Sequence, residues 1–198
     1  MNAPLLYYIT DGSRLGKSLL EKIGSAFAAG LDYLQIREKH LTSGELFRLA
    51  SAAAALPRNG KLLVNDRLDV ALASRADGMH LPAGRPPAAR FRALTPGGFL
   101  IGVSCHSTEE VERAAGEGAD FAVLGPIFSS PGKGAPLGLP PLETAARSAI
   151  PIFALGGVTL ENACLCLRAG ARGVAGIRVF QDAPDISAVV KKLKEMRP

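Results

Sequence analysis

Eight short apolar runs, each followed by a longer amphipathic segment, predict an α/β protein: a single (β/α)8 TIM barrel spanning residues 1–198. The runs are continuous rather than alternating, as strands buried on both faces of a parallel sheet must be. Glycine, proline and small polar residues mark the joins. A doubly wound open sheet is the alternative, but it normally carries fewer strands at this length.

In chain order, Leu5–Ile9 is the first strand, followed by a helix over about 15–28 that ends at Gly30. Residues 31–36 form the second strand, and a helix opens near Thr42-Ser43 with Glu45 in its first turn, as an N-cap requires. Residues 61–64 lead through Asn65-Asp66-Arg67 into a short helix that ends at Ser74. Gly78–Leu81 leads through Pro82-Ala83-Gly84 to a helix near 87–94. Residues 99–103 precede Ser104-Cys105-His106 and a helix over Thr108–Gly116, capped by Ser107 or Thr108, with Glu109 and Glu110 at the favourable end of its dipole. Phe121–Leu124 runs into a long Gly/Pro/Ser loop, 125–138, and a helix around 142–148. Residues 152–155 run into Gly156-Gly157 and a helix that ends at Ala169, and residues 173–177 precede a terminal helix over about 185–196. The count is eight strands and eight helices, with no linker, tandem motif or low-complexity tail.

The chain is 47% hydrophobic and 21% charged, an ordinary globular balance, and no apolar run approaches the roughly 18 residues that span a membrane. Met1-Asn2-Ala3-Pro4 lacks the basic and apolar regions of a signal peptide. Cys105, Cys164 and Cys166 are odd in number and have no zinc-like spacing, so a cytoplasmic enzyme with reduced thiols is expected. The net charge of +5 favours an anionic partner, yet Lys and Arg are scattered, aromatics are 6% and Trp is absent, which argues against a nucleic-acid stacking platform. Small phosphorylated molecules are the expected partners; self-association as a homodimer is left open.

In a (β/α)8 barrel the segments that follow the strands share one face, where chemistry takes place. Gln35, Arg37 and Lys39 extend the second strand on one side, and Ile36 and Glu38 face the other way. Where that face opens into a site, two cations and an amide suit a doubly charged anion; the alternative is the solvated face of an edge strand. Gly156-Gly157, read as lying directly before a helix, forms either an anion cradle or a tight turn; Gly176-Ile177-Arg178 would supply the other half of such a cradle. Asp66 is a candidate Mg²⁺ ligand or an N-cap, with Asn65 beside it to orient amino or hydroxyl groups. His106 is a candidate acid/base, while His80 and His40 have no evident partner. Lys133, in the flap Ser130-Pro131-Gly132-Lys133-Gly134, is placed to neutralise a leaving phosphate or else is a solvated lysine.

Tyr8-Ile9-Thr10-Asp11, Gln35-Ile36-Arg37-Glu38-Lys39, Val64-Asn65-Asp66-Arg67, Ala76-Asp77-Gly78-Met79-His80-Leu81, Gly102-Val103-Ser104-Cys105-His106-Ser107, Gly118-Ala119-Asp120 with Gly125-Pro126-Ile127-Phe128, and Leu155-Gly156-Gly157-Val158 follow one another in this chain. In these motifs the sequence resembles the thiamine phosphate synthase family and its relative, the thiazole tautomerase. The resemblance implies condensation of hydroxymethylpyrimidine pyrophosphate with thiazole phosphate, giving thiamine phosphate and pyrophosphate. By resemblance, Arg37, Lys39 and Lys133, with Mg²⁺ on Asp66, would hold the pyrophosphate. Gln35, Asn65 and Ser104 would contact the pyrimidine substrate or its leaving group, and Gly157 and the Ile177 backbone would bind the thiazole phosphate.

Three positions depart from the synthase pattern. The Gly-Gln-x-Asp run after the fourth strand, whose Asp is the second Mg²⁺ ligand, reads Pro82-Ala83-Gly84-Arg85. The flap's Thr-x-Thr-Lys keeps one hydroxyl, Ser130, and the lysine; a serine after the eighth strand is Arg178. Exchange of a carboxylate for a cation makes a two-carboxylate Mg²⁺ site implausible, although Arg85 can itself neutralise phosphate oxygens. Two alternatives follow from the same residues: a metal-independent thiazole tautomerase with His106 as acid/base, and a barrel that binds thiazole phosphate or thiamine phosphate without turnover.

Overall fold

The computed structural model describes residues 3–12, 19–130 and 132–197. The strands β1 (Leu5–Ile9), β2 (Tyr33–Ile36), β3 (Lys61–Asn65), β4 (Gly78–Leu81), β5 (Leu100–Cys105), β6 (Phe121–Leu124), β7 (Ile152–Ala154) and β8 (Gly173–Gly176) pair in chain order, all parallel. β8 returns to β1, with Leu5 opposite Gly173 and Tyr7 opposite Ala175, so the barrel is closed. Outside it lie α1 (Leu19–Ala28), α2 (Ser43–Ala54), α3 (Leu68–Ala73), α4 (Ala88–Arg92), α5 (Thr108–Gly116), α6 (Leu139–Ala145), α7 (Ala163–Arg168), α8 (Arg178–Gln181) and α9 (Ile186–Glu195). No helix among the described residues is long and apolar enough to cross a membrane.

The expected eight-strand order holds, with local corrections. Among the described residues there are nine helices rather than eight, because one short turn, α8, follows β8 before Asp185 caps α9 by accepting from the Ser187 and Ala188 amides. β2 begins at Tyr33 rather than Leu31, and residues 15–18 of the expected first helix lie outside the described residues.

Side-chain alternation along the strands separates two cores. Leu6 and Tyr8 of β1 join the shell between strands and helices, whereas Tyr7 and Ile9 join the barrel interior with Leu63, Phe121, Val123, Phe153 and Ala175. The inner rings pack edge-on or tilted: Tyr7, Phe121 and Phe153 have centroids 5.3–5.6 Å apart. Gly102 makes room for this cluster, since a Cβ there would lie 2.3 Å from the Phe121 ring and 2.9 Å from His80 Nδ1.

A recurrence absent from the expected organisation appears at the N-terminal end of the barrel. Gly30-Leu31-Asp32, Arg75-Ala76-Asp77, Gly118-Ala119-Asp120 and Gly170-Ala171-Arg172 each close a helix and open an even-numbered strand. The first residue of each has positive φ (95°, 58°, 82° and 90°), and the amide of the second donates back to the helix (to Ala26, Ala71, Ala114 and Cys166), a Schellman closure. The three aspartates then accept from an amide of the preceding strand: Asp32 from Leu6 at 2.7 Å, Asp77 from Leu62 at 2.8 Å and Asp120 from Ile101 at 2.6 Å. Lys194, Arg58 and Arg92 pair with them. These carboxylates tie strands together at the face opposite the loops that carry the candidate residues.

Candidate active site

Every even-numbered strand delivers cations to the mouth: Arg37 and Lys39 after β2, Arg85 after β4, Lys133 in the loop after β6 and Arg178 after β8. Between them, inside the barrel, runs a chain of hydrogen bonds. Gln35 Nε2 donates to the Tyr7 hydroxyl at 2.9 Å; that hydroxyl lies 3.2 Å from His80 Nδ1, and His80 Nε2 lies 2.8 Å from Ser104 Oγ. Gln35, Tyr7 and His80 are buried, and Ser104 is half-buried at the end of the chain.

Its polarity follows from donor and acceptor inventory. Burial and, secondarily, the Arg37 charge pull the His80 pKa down to about 3, so its imidazole is neutral. The Tyr7 hydroxyl, already accepting from Gln35, gives its hydrogen to His80 Nδ1. His80 Nε2 then carries the ring's one N–H and donates to Ser104 Oγ. The Ser104 O–H and the Gln35 carbonyl oxygen are left to face a ligand, one as donor and one as acceptor.

This arrangement makes the fold acid-sensitive. Unfolding returns His80 to a pKa near 6.5, so below that pH the unfolded chain binds a proton that the folded chain refuses. Stability is therefore expected to fall as pH drops from about 6.5 towards 3, with a slope of up to about 1.4 kcal/mol per pH unit from this group. His80→Gln should flatten that part of a urea-midpoint-against-pH profile; an unchanged slope would remove His80 as its source.

Arg37 is half-buried where β2 ends, and Lys39 is exposed beyond it. The expected division of sides survives the strand end in part: Glu38 turns inward to a different set of partners. It accepts from the Thr10 hydroxyl and from the Gly12 amide at 2.6 Å, while Thr10 Oγ1 accepts from the Arg37 amide at 3.0 Å. This knot binds the loop after β1 to the end of β2. Gln181 of α8 secures the other side of the same loop, accepting from the Asp11 amide at 2.8 Å and the Tyr8 hydroxyl at 3.4 Å and donating to the Asp11 carbonyl.

Asp66 does not cap α3; Arg67 holds the N-cap position without a side-chain bond. Asp66 instead takes φ +62° and accepts a guanidinium fork from Arg85, Nε to Oδ1 at 2.6 Å and Nη2 to Oδ2. The nearby carboxylates that would have to serve as a second ligand are engaged elsewhere, Asp69 with Arg67 and Asp77 with Arg58 beneath the barrel. Among the described residues, no group of three or more His, Cys, Asp and Glu side chains could hold a metal ion. A carboxylate already paired with a fixed cation does not fit a divalent ion, so the residues here do not suit the Mg²⁺ site that the resemblance implies. Asn65 is half-buried at the end of β3, in register with His80.

His106 is exposed, with Nδ1 2.6 Å from the Gly125 carbonyl oxygen. A carbonyl only accepts, so Nδ1 carries the hydrogen and Nε2 is left basic when the ring is neutral. The His106 amide also donates to Glu110 Oε2 at 2.6 Å.

Gly156 and Gly157 are not at a helix N-terminus, since α7 begins at Ala163. Their φ values of +95° and +64° serve a close approach: a Cβ would lie 2.6 Å from Pro126 Cα at the first and 2.5 Å from the Ser129 carbonyl oxygen at the second. The Phe128 amide donates to the Gly156 carbonyl at 2.9 Å. The pair thus seats the base of the 125–138 loop against the end of β7. In that loop Ser130 Oγ accepts from Arg178 Nη2 at 3.4 Å, next to Ile177 at the α8 N-cap; Lys133 is exposed, and Pro131 lies outside the described residues.

Tyr7 and Gln181 escape sequence reasoning, and His80 is visible there only as a histidine without a partner. The available signal is a polar ring in an otherwise apolar four-residue strand, Gly78–Leu81.

Fold and mouth together define a (β/α)8 barrel whose strand ends gather cationic side chains around buried neutral polar groups. The chain belongs to the thiamine monophosphate synthase family, whose sequence profile matches residues 6–180. It is 37% identical over 196 residues to a thiamine-phosphate synthase of Roseiflexus castenholzii, covering 96% of this chain and 86% of that one. With a thiamine-phosphate synthase of Methanoculleus marisnigri it shares 38% identity over 197 residues, covering 96% and 93%. Among solved structures, a thiamine phosphate pyrophosphorylase from Pyrococcus furiosus superposes with a TM-score of 0.88 at 31% identity, covering 98% of this chain and 96% of that one. The family is one of transferase enzymes.

Proposed function

We propose that this protein is a cytoplasmic thiamine phosphate synthase that joins a hydroxymethylpyrimidine diphosphate to thiazole phosphate. The observation that carries this reading is the buried chain Gln35–Tyr7–His80–Ser104 set within a ring of cations. A diphosphate ester on an aminopyrimidine needs both. The Gln35 carbonyl would accept from the ring's amino group, and the Ser104 O–H would donate to the adjacent ring nitrogen. Arg37, Lys39 and Lys133 would neutralise charge that grows on the departing pyrophosphate.

The bond from the pyrimidine methylene carbon to the diphosphate oxygen breaks, and its electron pair leaves with pyrophosphate. The methylene cation is then captured by the thiazole nitrogen lone pair, which forms the new C–N bond. No proton need move in either step, so stabilisation of the leaving group dominates. Thiazole phosphate is assigned to the Gly157 and Ile177 backbone, with Ser130 and Arg178 beside it. This reading needs no step through a metal.

A second reading is favoured by one observation, the His106 tautomer fixed by the Gly125 carbonyl, which leaves Nε2 as a base for tautomerising a thiazole carboxylate phosphate. Incubation of the purified protein with both synthase substrates, followed by mass spectrometry, separates the two. Thiamine phosphate is expected. Its absence, together with isomerisation of a thiazole carboxylate phosphate that His106→Ala abolishes, would replace the first reading by the second.

A further inference from the structure

We propose that Arg85, oriented by Asp66, is a direct pyrophosphate ligand that takes the place of a divalent cation in this mouth. The inference deepens the diphosphate reading and rests on it for the identity of the anion. Asp66 engages two of the guanidinium's five N–H donors, leaving the other three for a ligand. The fork fixes the plane of the guanidinium, so those donors are aimed before any anion arrives.

The backbone on both sides is shaped for this meeting. Asp66 stands at φ +62°, a conformation that non-glycine residues seldom adopt, and Gly84, directly before Arg85, stands at φ +78°. The Asp66–Arg85 fork joins the loops after β3 and β4, each of which carries one of these left-handed residues. Arg85 and Ser104 both line a small cavity of about 50 Å³. Glu110, Arg113 and Glu117 line the same cavity, and Glu110 accepts from the His106 amide.

The electrostatics follow. A divalent ion at Asp66 would have to displace a guanidinium or sit against it, and the nearby aspartates Asp69 and Asp77 are paired with Arg67 and Arg58. Arg85 needs no recruitment: it is a permanent cation, already placed by its contact with Asp66 and still exposed to an incoming anion.

Titration calorimetry with inorganic pyrophosphate tests this without turnover. In a chelator the wild type is expected to bind pyrophosphate, added Mg²⁺ should not tighten it, and Arg85→Ala should weaken it by about tenfold or more, the cost of a charge-assisted contact. Failure of the wild type to bind without Mg²⁺, tightening by Mg²⁺ that Asp66→Asn abolishes, or unchanged affinity in Arg85→Ala would each overturn the proposal. Should the binding results hold and no thiamine phosphate form, only the synthase reading falls.

Discussion

Arg37→Ala is expected to lower kcat/KM for the pyrimidine diphosphate by about 10²- to 10³-fold, the usual effect of removing one preorganised group that stabilises developing charge. Among the mouth's cations Arg37 is the one placed where the fold is stiffest. It follows β2 directly, its amide donates to Thr10 Oγ1, and Thr10 is locked in turn by buried Glu38. Its charge reaches far enough inward to disfavour protonation of His80. A half-buried cation acts through a lower effective dielectric than the exposed Lys39 and Lys133, so its loss should exceed theirs. The KM for thiazole phosphate, which the proposed function assigns to the β7–β8 side, should stay near its wild-type value; a parallel rise in both KM values would mean that Arg37 acts through the fold of the mouth. His80 should remain neutral in this variant, because burial rather than Arg37 is the larger cause of its depressed pKa.

Tyr7→Ala should cost about 3–5 kcal/mol of stability, as deletion of a large buried aromatic does. Tyr7 is fully buried and its ring meets Tyr33, Phe121, Phe153 and His80 at centroid distances of 5.6–5.9 Å, so no neighbour has free space to collapse inwards without disturbing the rest. Tyr7→Phe isolates the hydroxyl's share. It would leave Gln35 Nε2 and His80 Nδ1 without their common partner in a buried setting, at about 1–3 kcal/mol. Urea denaturation of the two variants separates ring from hydroxyl. If Tyr7→Phe is as stable as wild type, the chain from Gln35 to Ser104 is not a satisfied network, and the assignment of donor and acceptor at its ends fails with it.

Much of the architecture is legible in the sequence because a parallel barrel strand is buried on both faces and so reads as an uninterrupted apolar run. The cationic loops are legible for a related reason, since residues such as Arg37, Lys133 and Arg178 fall just after those runs. The recurring Gly-Ala-Asp closure is equally present in the sequence; it is missed because three of its four copies differ from that triplet in one residue and the copies follow helices of different length. The buried chain is hidden by distance. Tyr7 and His80 are 73 residues apart and Gln35 and Tyr7 are 28 apart, so only barrel closure brings them together. Asp66 shows another limit: sequence presents Arg85 as a lost carboxylate, but whether it faces Asp66 depends on a left-handed backbone that no residue type at 66 announces. Gly156-Gly157 shows the reverse, a familiar anion signature whose local geometry is already accounted for by the approach of residues 126–129.

The central claim is that these residues stabilise a departing pyrophosphate while a pyrimidine is held by Gln35 and Ser104. A single-turnover rapid-quench measurement, with protein in excess over the pyrimidine diphosphate and thiazole phosphate saturating, addresses it directly. One pyrophosphate should appear for each thiamine phosphate formed, with both rates falling together by about 10²-fold or more in Arg37→Ala. Pyrophosphate release that is indifferent to Arg37→Ala, or no thiamine phosphate from the wild type, would contradict it.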